Sequence, residues 1–160
     1  MTGRARRVLA ALGVLAVLAG LSVAIGAPLG LFSGSLPADL GAAGGRLRAG
    51  DWRPNWVSSQ VPAADPHHVA PLPAGPDPVA AWRALEAAIA AEPRAKVVTR
   101  APGYLHVEFA TRALGFVDDA EFLQDGRAGL IHVRSGARLG IRDFGVNRER
   151  VERIRSRLSR

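Results

Sequence analysis

The chain has 160 residues and no cysteine, which excludes disulfides, thiolate zinc sites and a lipidated cysteine. Its formal net charge is +7, but the excess is confined to the two ends. Residues 33–147 contain 12 basic and 12 acidic residues, whereas residues 148–160 contain six arginines and two glutamates. A neutral body lacks the basic surface of a nucleic-acid-binding domain, so we predict no nucleic-acid partner.

The first predicted element is a membrane-spanning helix. Residues 8–32 carry no charge, and three arginines lie among residues 4–7. The stretch 8–28 has about 20 residues, which at ~1.5 Å per residue matches the roughly 30 Å of a bilayer core. The arginines predict an N-terminus inside a bacterial cytoplasmic membrane and a domain facing the periplasm or exterior. A signal peptide cleaved at the small residues 24–26 is the alternative, and it exports the same domain.

The next segment is rich in proline. Residues 33–78 contain eight of the eleven prolines, which disfavours long helices and strands. We therefore predict a cytoplasmic start and anchor at 1–32, a tether at 33–50 and an extracytoplasmic domain at 51–160. Part of the segment is alternatively wrapped around the domain, since its tryptophans would be costly to leave in water.

The domain is predicted to be α+β, a small antiparallel sheet with one face covered by two helices. Asp77-Pro78 is a strong helix start, and the apolar periodicity that follows continues to about Glu92. A second helix is predicted from Asn147, as N-cap, to about Leu158. Alternating apolar residues predict about four strands, at 95–100, 104–111, 116–123 and 130–134.

A family resemblance rests on four motifs that occur in order: RPNWVSSQ, HHVAPL, YLHVEFATRALGFVDDAEF and IHVRSGARLGIRDFGVNRERVERIR. Together they resemble the bacterial and plastid proteins catalogued as domain of unknown function 1499, over residues 51–155. The resemblance implies a membrane segment or export signal in many members, and no established reaction, substrate or cofactor. Trp56 stands where the family pattern has cysteine, so no thiol role can apply there.

The polar face of the predicted sheet carries the candidate catalytic residues, His106 and Glu108. Strand alternation places them opposite the apolar Leu105 and Val107. A histidine with a carboxylate can act as a general base, which makes an extracytoplasmic hydrolase one interpretation. A solvent-exposed sheet face shows the same alternation by default. The sequence contains no spaced metal-ligand motif, so we predict no metal and no cofactor.

The densest group of glycine, arginine, aspartate and asparagine lies between residues 134 and 148. Backbone amides at a helix N-terminus, with arginines nearby, can hold a phosphate or carboxylate. The candidate binding residues are Arg134, Ser135, Arg138, Asp143, Asn147 and Arg148. The alternative is that these residues form tight turns and helix caps. The arginines of the C-terminal helix are a further candidate, for contact with anionic lipid.

Four residues are predicted to be structural. An inward-facing, unpaired Asp118 would cost several kcal/mol, so we predict an ion pair with Arg138 or Arg134. The alternative is a one-residue shift in register that exposes Asp118. The other three belong to a loop that hydrogen-bonds onto the domain: Asn55, Ser58 and Ser59.

The predicted function is that of a single-pass envelope protein, a binding or assembly module with no established catalytic activity. Its predicted partners are the membrane, through residues 8–28, and an unknown envelope protein. Two alternatives stay open. One is a hydrolase that uses His106, Glu108 and the Arg134–Arg148 cluster, and the other is a domain that binds anions or lipid headgroups.

Overall fold

The computed structural model describes residues 3–27, 29–112 and 114–158. The predicted boundaries at residues 1, 28 and 160 lie outside them. The first element is α1 (Gly3–Gly26), a 24-residue helix that is about 36 Å long at ~1.5 Å per residue. None of its most apolar stretch is buried against the rest of the chain. By length and composition, α1 is a helix that can cross a membrane, or a signal sequence.

The rest of the chain forms an α+β domain. A short hairpin of β1 (Ala42–Ala43) and β2 (Arg46–Leu47) comes first. The main sheet has the order β3-β8-β7-β6-β5 with antiparallel neighbours, and β4 also pairs with β8. Its strands are β3 (Trp56–Ser58), β4 (Leu72–Pro73), β5 (Ala95–Ala101), β6 (Tyr104–Ala110), β7 (Val117–Asp125) and β8 (Leu130–Ala137).

The prediction of about four strands was wrong, because the main sheet has six. The predicted strands correspond to β5, β6, β7 and β8. The additional strands, β3 and β4, have three and two residues and lie in the proline-rich segment. Strands this short show no alternation in sequence, and they are strands only because each pairs with β8, more than 50 residues away.

Two helices cover one face of the sheet, α2 (Pro78–Ala90) and α3 (Val146–Leu158). Asp77 caps α2, since its Oδ1 accepts hydrogen bonds from the amides of Val79 and Ala80 at 2.9 and 3.0 Å. The core between helices and sheet includes Leu85, Ile89, Leu105, Val107, Phe122, Ile131, Val133, Val151 and Ile154. This is the apolar face that strand alternation predicted.

The prediction of Asn147 as the N-cap of the last helix was wrong, because α3 begins one residue earlier. Asp143 satisfies the first amides instead, accepting from Gly145 at 3.2 Å and from Asn147 at 3.0 Å. Asn147 is itself buried and bonds toward the sheet.

The opposite, polar face of the sheet is covered by the chain that follows α1. Leu47 of β2 is buried, and β2 contacts both β7 and β8. Trp56 is buried too, whereas Trp52 is 78% exposed. The expectation of a solvent-exposed polar face was therefore wrong at its centre. The polar side chains there are buried because they pair with one another and with residues of the covering segment.

Candidate functional site

Both candidate catalytic residues belong to one buried ion-pair network on the polar face. His106 is only 3% exposed, and its Nε2 lies 2.7 Å from Oδ1 of Asp119. Arg138 donates to both Asp119 oxygens at 2.7 Å and to Oε1 of Glu108 at 2.5 Å. Burial raises the pKa of Asp119, but the hydrogen bonds from Arg138 and His106 outweigh burial and lower it. Asp119 is therefore held as a carboxylate between two donors.

A second network joins the same face to the covering segment. Glu121, which is buried, accepts at Oε1 from the Tyr104 hydroxyl at 2.7 Å and from the Gly41 amide at 2.6 Å. Arg134 donates to Oε2 of Glu121 at 2.9 Å and to Asp39 at 2.7 Å. Burial and the bond to Glu121 raise the pKa of the Tyr104 phenol. These contacts fasten residues 39–41 onto the sheet.

The chemistry open to the polar face is limited by this pairing. A general base must reach the proton that it abstracts, and the His106 imidazole is enclosed and bonded to Asp119. A cavity of about 80 Å³ remains between the covering segment and the sheet, bordered by Asp39, Arg134 and Arg138. That volume suits a few water molecules. Among the described residues, no group of three or more His, Cys, Asp or Glu is placed to hold a metal.

The helix-facing side of the sheet carries a separate polar cluster. Asp118 is buried, as predicted, but its partner is Arg150 of α3 at 2.6 Å, so the predicted partners Arg138 and Arg134 were wrong. Arg138 does not pair with Asp118 because successive side chains of β7 point to opposite faces of the sheet. Asp118 therefore points toward the helices, and Asp119 points toward Arg138. Arg150 Nη1 also reaches Asn147 Oδ1 at 2.7 Å. Burial raises the pKa of Asp118, and Arg150 opposes that rise.

The remaining candidate residues bind the chain to itself. Arg148 donates to the backbone oxygens of His68 and Pro66 at 2.6 and 2.7 Å. Ser135 donates to Asn147 at 2.6 Å, and Asn55 to the carbonyl of Gly140 at 2.9 Å. These bonds join β8, α3 and the loops around them.

The serine loop is a further set of internal contacts. The hydroxyl of Ser59 accepts from the Val133 amide at 2.9 Å, and that of Ser58 accepts from the Gln60 amide at 3.1 Å. His67 stacks on Trp56 with ring centroids 4.0 Å apart. The described contacts of the loop hold it against β8 and support the predicted structural role.

The loop between β8 and α3 presents apolar side chains to solvent. Leu139, Ile141 and Phe144 are exposed, and so is Val146 at the start of α3. Phe144 is 90% exposed and has a φ of 54°, a left-handed conformation that costs energy for a bulky residue. A strained, exposed aromatic residue contributes little to folding, which favours a role at the surface.

This apolar loop lies at the end of the domain that is next to α1. Phe116, just before β7, contacts Phe32 with ring centroids 6.0 Å apart. A Cβ on Gly34 would come within 3.0 Å of Leu139, so the chain leaving α1 passes directly over the loop. The opposite end of β7, at Asp125, is roughly 27 Å away at ~3.3 Å per residue.

The family model described as protein of unknown function (DUF1499) matches residues 48–158. The chain belongs to the DUF1499 family. The resemblance stated from the four motifs is thereby confirmed. No curated protein and no solved structure matches this chain.

A cavity of about 310 Å³ lies under the apolar loop of this DUF1499 domain. Its walls include Phe116 and Val117 on one side and Leu139, Phe144 and Val146 on the other. The glycines and charged residues of the loop predict polar chemistry, whereas the structure shows that the apolar residues between them form the exposed surface and the cavity wall. The sequence signal for this surface is that several large apolar residues recur within residues 139–146, a segment too short to form a core helix or strand.

Arg150 was missed as well, although helical periodicity points to it. Asn147, Val151 and Ile154 are buried on one face of α3, and Arg150 lies on that face at i+3 from Asn147. An arginine on the buried face of a helix requires a buried acid, and Asp118 is that acid.

Proposed function

We propose that this chain is a single-pass membrane protein whose DUF1499 domain is a binding module resting on the outer surface of the bilayer. The observation that carries the proposal is the position of the loop 139–146, whose exposed apolar side chains adjoin the chain leaving α1. Large apolar side chains that are exposed together are typical of an interaction surface. If α1 enters a bilayer, the loop 139–146 lies next to the lipid surface.

The charge pattern supports the same arrangement. The arginines at residues 4–7 favour an N-terminus in the cytoplasm, which supports a domain in the periplasm or at the cell exterior. Arg112 and Arg142 are exposed at the same end of the domain as the loop, at the level where lipid phosphates would lie.

The arginines of α3 are less suited to contact lipid than the loop is. Arg153 and Arg157 pair with the buried Glu92, and Arg155 donates to the Pro71 carbonyl at 2.6 Å. These contacts hold the end of α3 against the domain. We therefore propose that the membrane contact belongs to residues 139–146 and not to α3.

We do not favour the hydrolase alternative. Its proposed base, His106, is enclosed, and Glu108 is held by Arg138 and by Lys96 at 3.5 Å. The anion-binding alternative meets the same difficulty, since Arg134, Arg138 and Arg148 all donate to acceptors within the chain. The network supports a structural role for these residues.

The test uses the absence of native cysteine, so that a single introduced thiol can carry an environment-sensitive fluorophore. Phe144→Cys and, as a control, Val79→Cys are labelled in the full chain reconstituted in phospholipid nanodiscs. Val79 is 60% exposed at the start of α2, which lies at the far end of the domain because the Pro78 carbonyl accepts from Gln124, next to Asp125, at 2.7 Å. We expect the label at 144 to show blue-shifted emission and protection from an aqueous quencher, and the label at 79 to show neither.

Equal quenching at the two positions would overturn the proposal. So would a label at position 144 that is shielded from the aqueous quencher but is not quenched by a quencher attached to the lipid acyl chains, because that shielding would come from the protein and not from the bilayer.

A further inference from the structure

The cavity under the loop is apolar along most of its wall. Of its four polar side chains, Arg142 is exposed to solvent and the other three are engaged within the chain. Asp118 at its base pairs with Arg150 at 2.6 Å. Asp143 accepts from the amide of Asn147, and Thr111 accepts from the amide of Phe116, each at 3.0 Å. A polar ligand would have to compete with these bonds, whereas an apolar chain would only displace weakly held water.

The cavity is also placed to receive its occupant from the membrane. Phe116, in its wall, contacts Phe32 of the segment that leaves α1. Its other wall is the exposed loop that carries Phe144. Two wall residues, Phe116 and Leu139, thus lie against the segment that leaves α1. The strained backbone at Phe144 holds a large side chain at the edge of the cavity.

We propose that this cavity accepts an acyl chain of one membrane lipid. Its volume of about 310 Å³ lies at the lower end of the range for ligand pockets, which is enough for part of a chain and not for a whole lipid. An acyl chain that moves from the bilayer core into this cavity passes from one apolar environment to another, so packing against the cavity wall sets its affinity and the bound chain exchanges with the bilayer. The inference rests on the proposed function, because it requires residues 139–146 to face the bilayer.

The experiment uses the full chain in nanodiscs that contain phosphatidylcholine with a photoreactive diazirine on one acyl chain. After illumination, crosslinked peptides are mapped by mass spectrometry. We expect crosslinks to Val117 and to the wall formed by Leu139 and Val146, in addition to those on α1.

A matched pair of variants tests occupancy of the cavity. Val146→Trp, at the first residue of α3, fills the cavity, and Val79→Trp, near the start of α2, adds the same side chain far from it. We expect Val146→Trp to reduce crosslinking to Val117 at least fivefold and Val79→Trp to leave it unchanged. The wild-type crosslink map needs no variant, so it decides the case even if Val146→Trp is unstable.

Failure of this inference can be told apart from failure of the proposed function. If the label at position 144 is protected by lipid but Val117 is not crosslinked, the loop docks on the bilayer and the cavity is not an acyl site. If neither signal is seen, both proposals are overturned. Crosslinks to Val117 that Val146→Trp leaves unchanged would also overturn the acyl site.

Discussion

The buried pair of Asp118 and Arg150 offers the strongest test of how this domain is held together. Both side chains are 6% exposed, and Arg150 also lies over the Phe109 ring at 4.6 Å from its centroid. Removing one partner leaves a buried charge without its counter-ion, which costs about 3–5 kcal/mol. We therefore expect Asp118→Leu and Arg150→Met each to lower the free energy of unfolding by about that amount.

For a domain of this size, such a loss lowers Tm by roughly 10–20 °C. The double variant removes both charges and replaces them with apolar groups of similar volume, so we expect it to recover most of the loss. Thermal unfolding of the full chain in detergent, followed by tryptophan fluorescence, measures these shifts. The three tryptophans all lie outside α1, so the signal reports on the domain.

A surface pair is the matched control. Arg100 donates to Glu86 at 2.9 Å, and both side chains are partly exposed. Glu86→Gln should change stability by about 1 kcal/mol or less. The reasoning is refuted if Asp118→Leu behaves like this control, or if the double variant is as unstable as the sum of the two single variants.

Two further predictions concern packing and pH. A Cβ on Gly50 would lie 2.4 Å from the Trp56 ring, so Gly50→Ala should destabilise the domain by about 1–3 kcal/mol in the same assay. The control is Gly126→Ala, whose added Cβ meets nothing within 4 Å and should leave stability unchanged. Equal Tm values for the two variants would contradict this prediction. Because the pKa of Asp119 is lowered in the fold, its carboxylate stabilises the domain above about pH 4 and this contribution is lost as the pH falls. The Tm difference between wild type and Asp119→Asn should therefore shrink between pH 5 and pH 3, and a constant difference would count against the ion pair with Arg138.

Much of the architecture could be predicted because it depends on local pattern. The uncharged stretch after the first arginines predicts α1, Asp77-Pro78 predicts the start of α2, and alternation predicts β6 and β7 within two residues. Hydrophobic period and capping chemistry act over a few neighbouring residues, so these elements are visible in any short window.

The candidate site was predicted less well, because it depends on which residues meet across the fold. The residue types predict catalytic roles for His106 and Glu108 and a binding role for Arg138, whereas in the fold these side chains pair with one another, with Asp119 and with Lys96. A sequence shows that an acid and a base are present and does not show that a covering segment encloses them.

The apolar N-terminal helix, the neutral α+β domain and the family membership can all be predicted from the linear chain, because composition, hydrophobic period and ordered motifs are properties of the sequence. Three further results come from long-range contacts: Asp118 meets Arg150, β3 and β4 join the sheet, and the loop that exposes Phe144 lies beside the segment that leaves α1. Each of these results depends on contacts between residues distant in sequence, whose energies are settled by packing and desolvation and not by local preference.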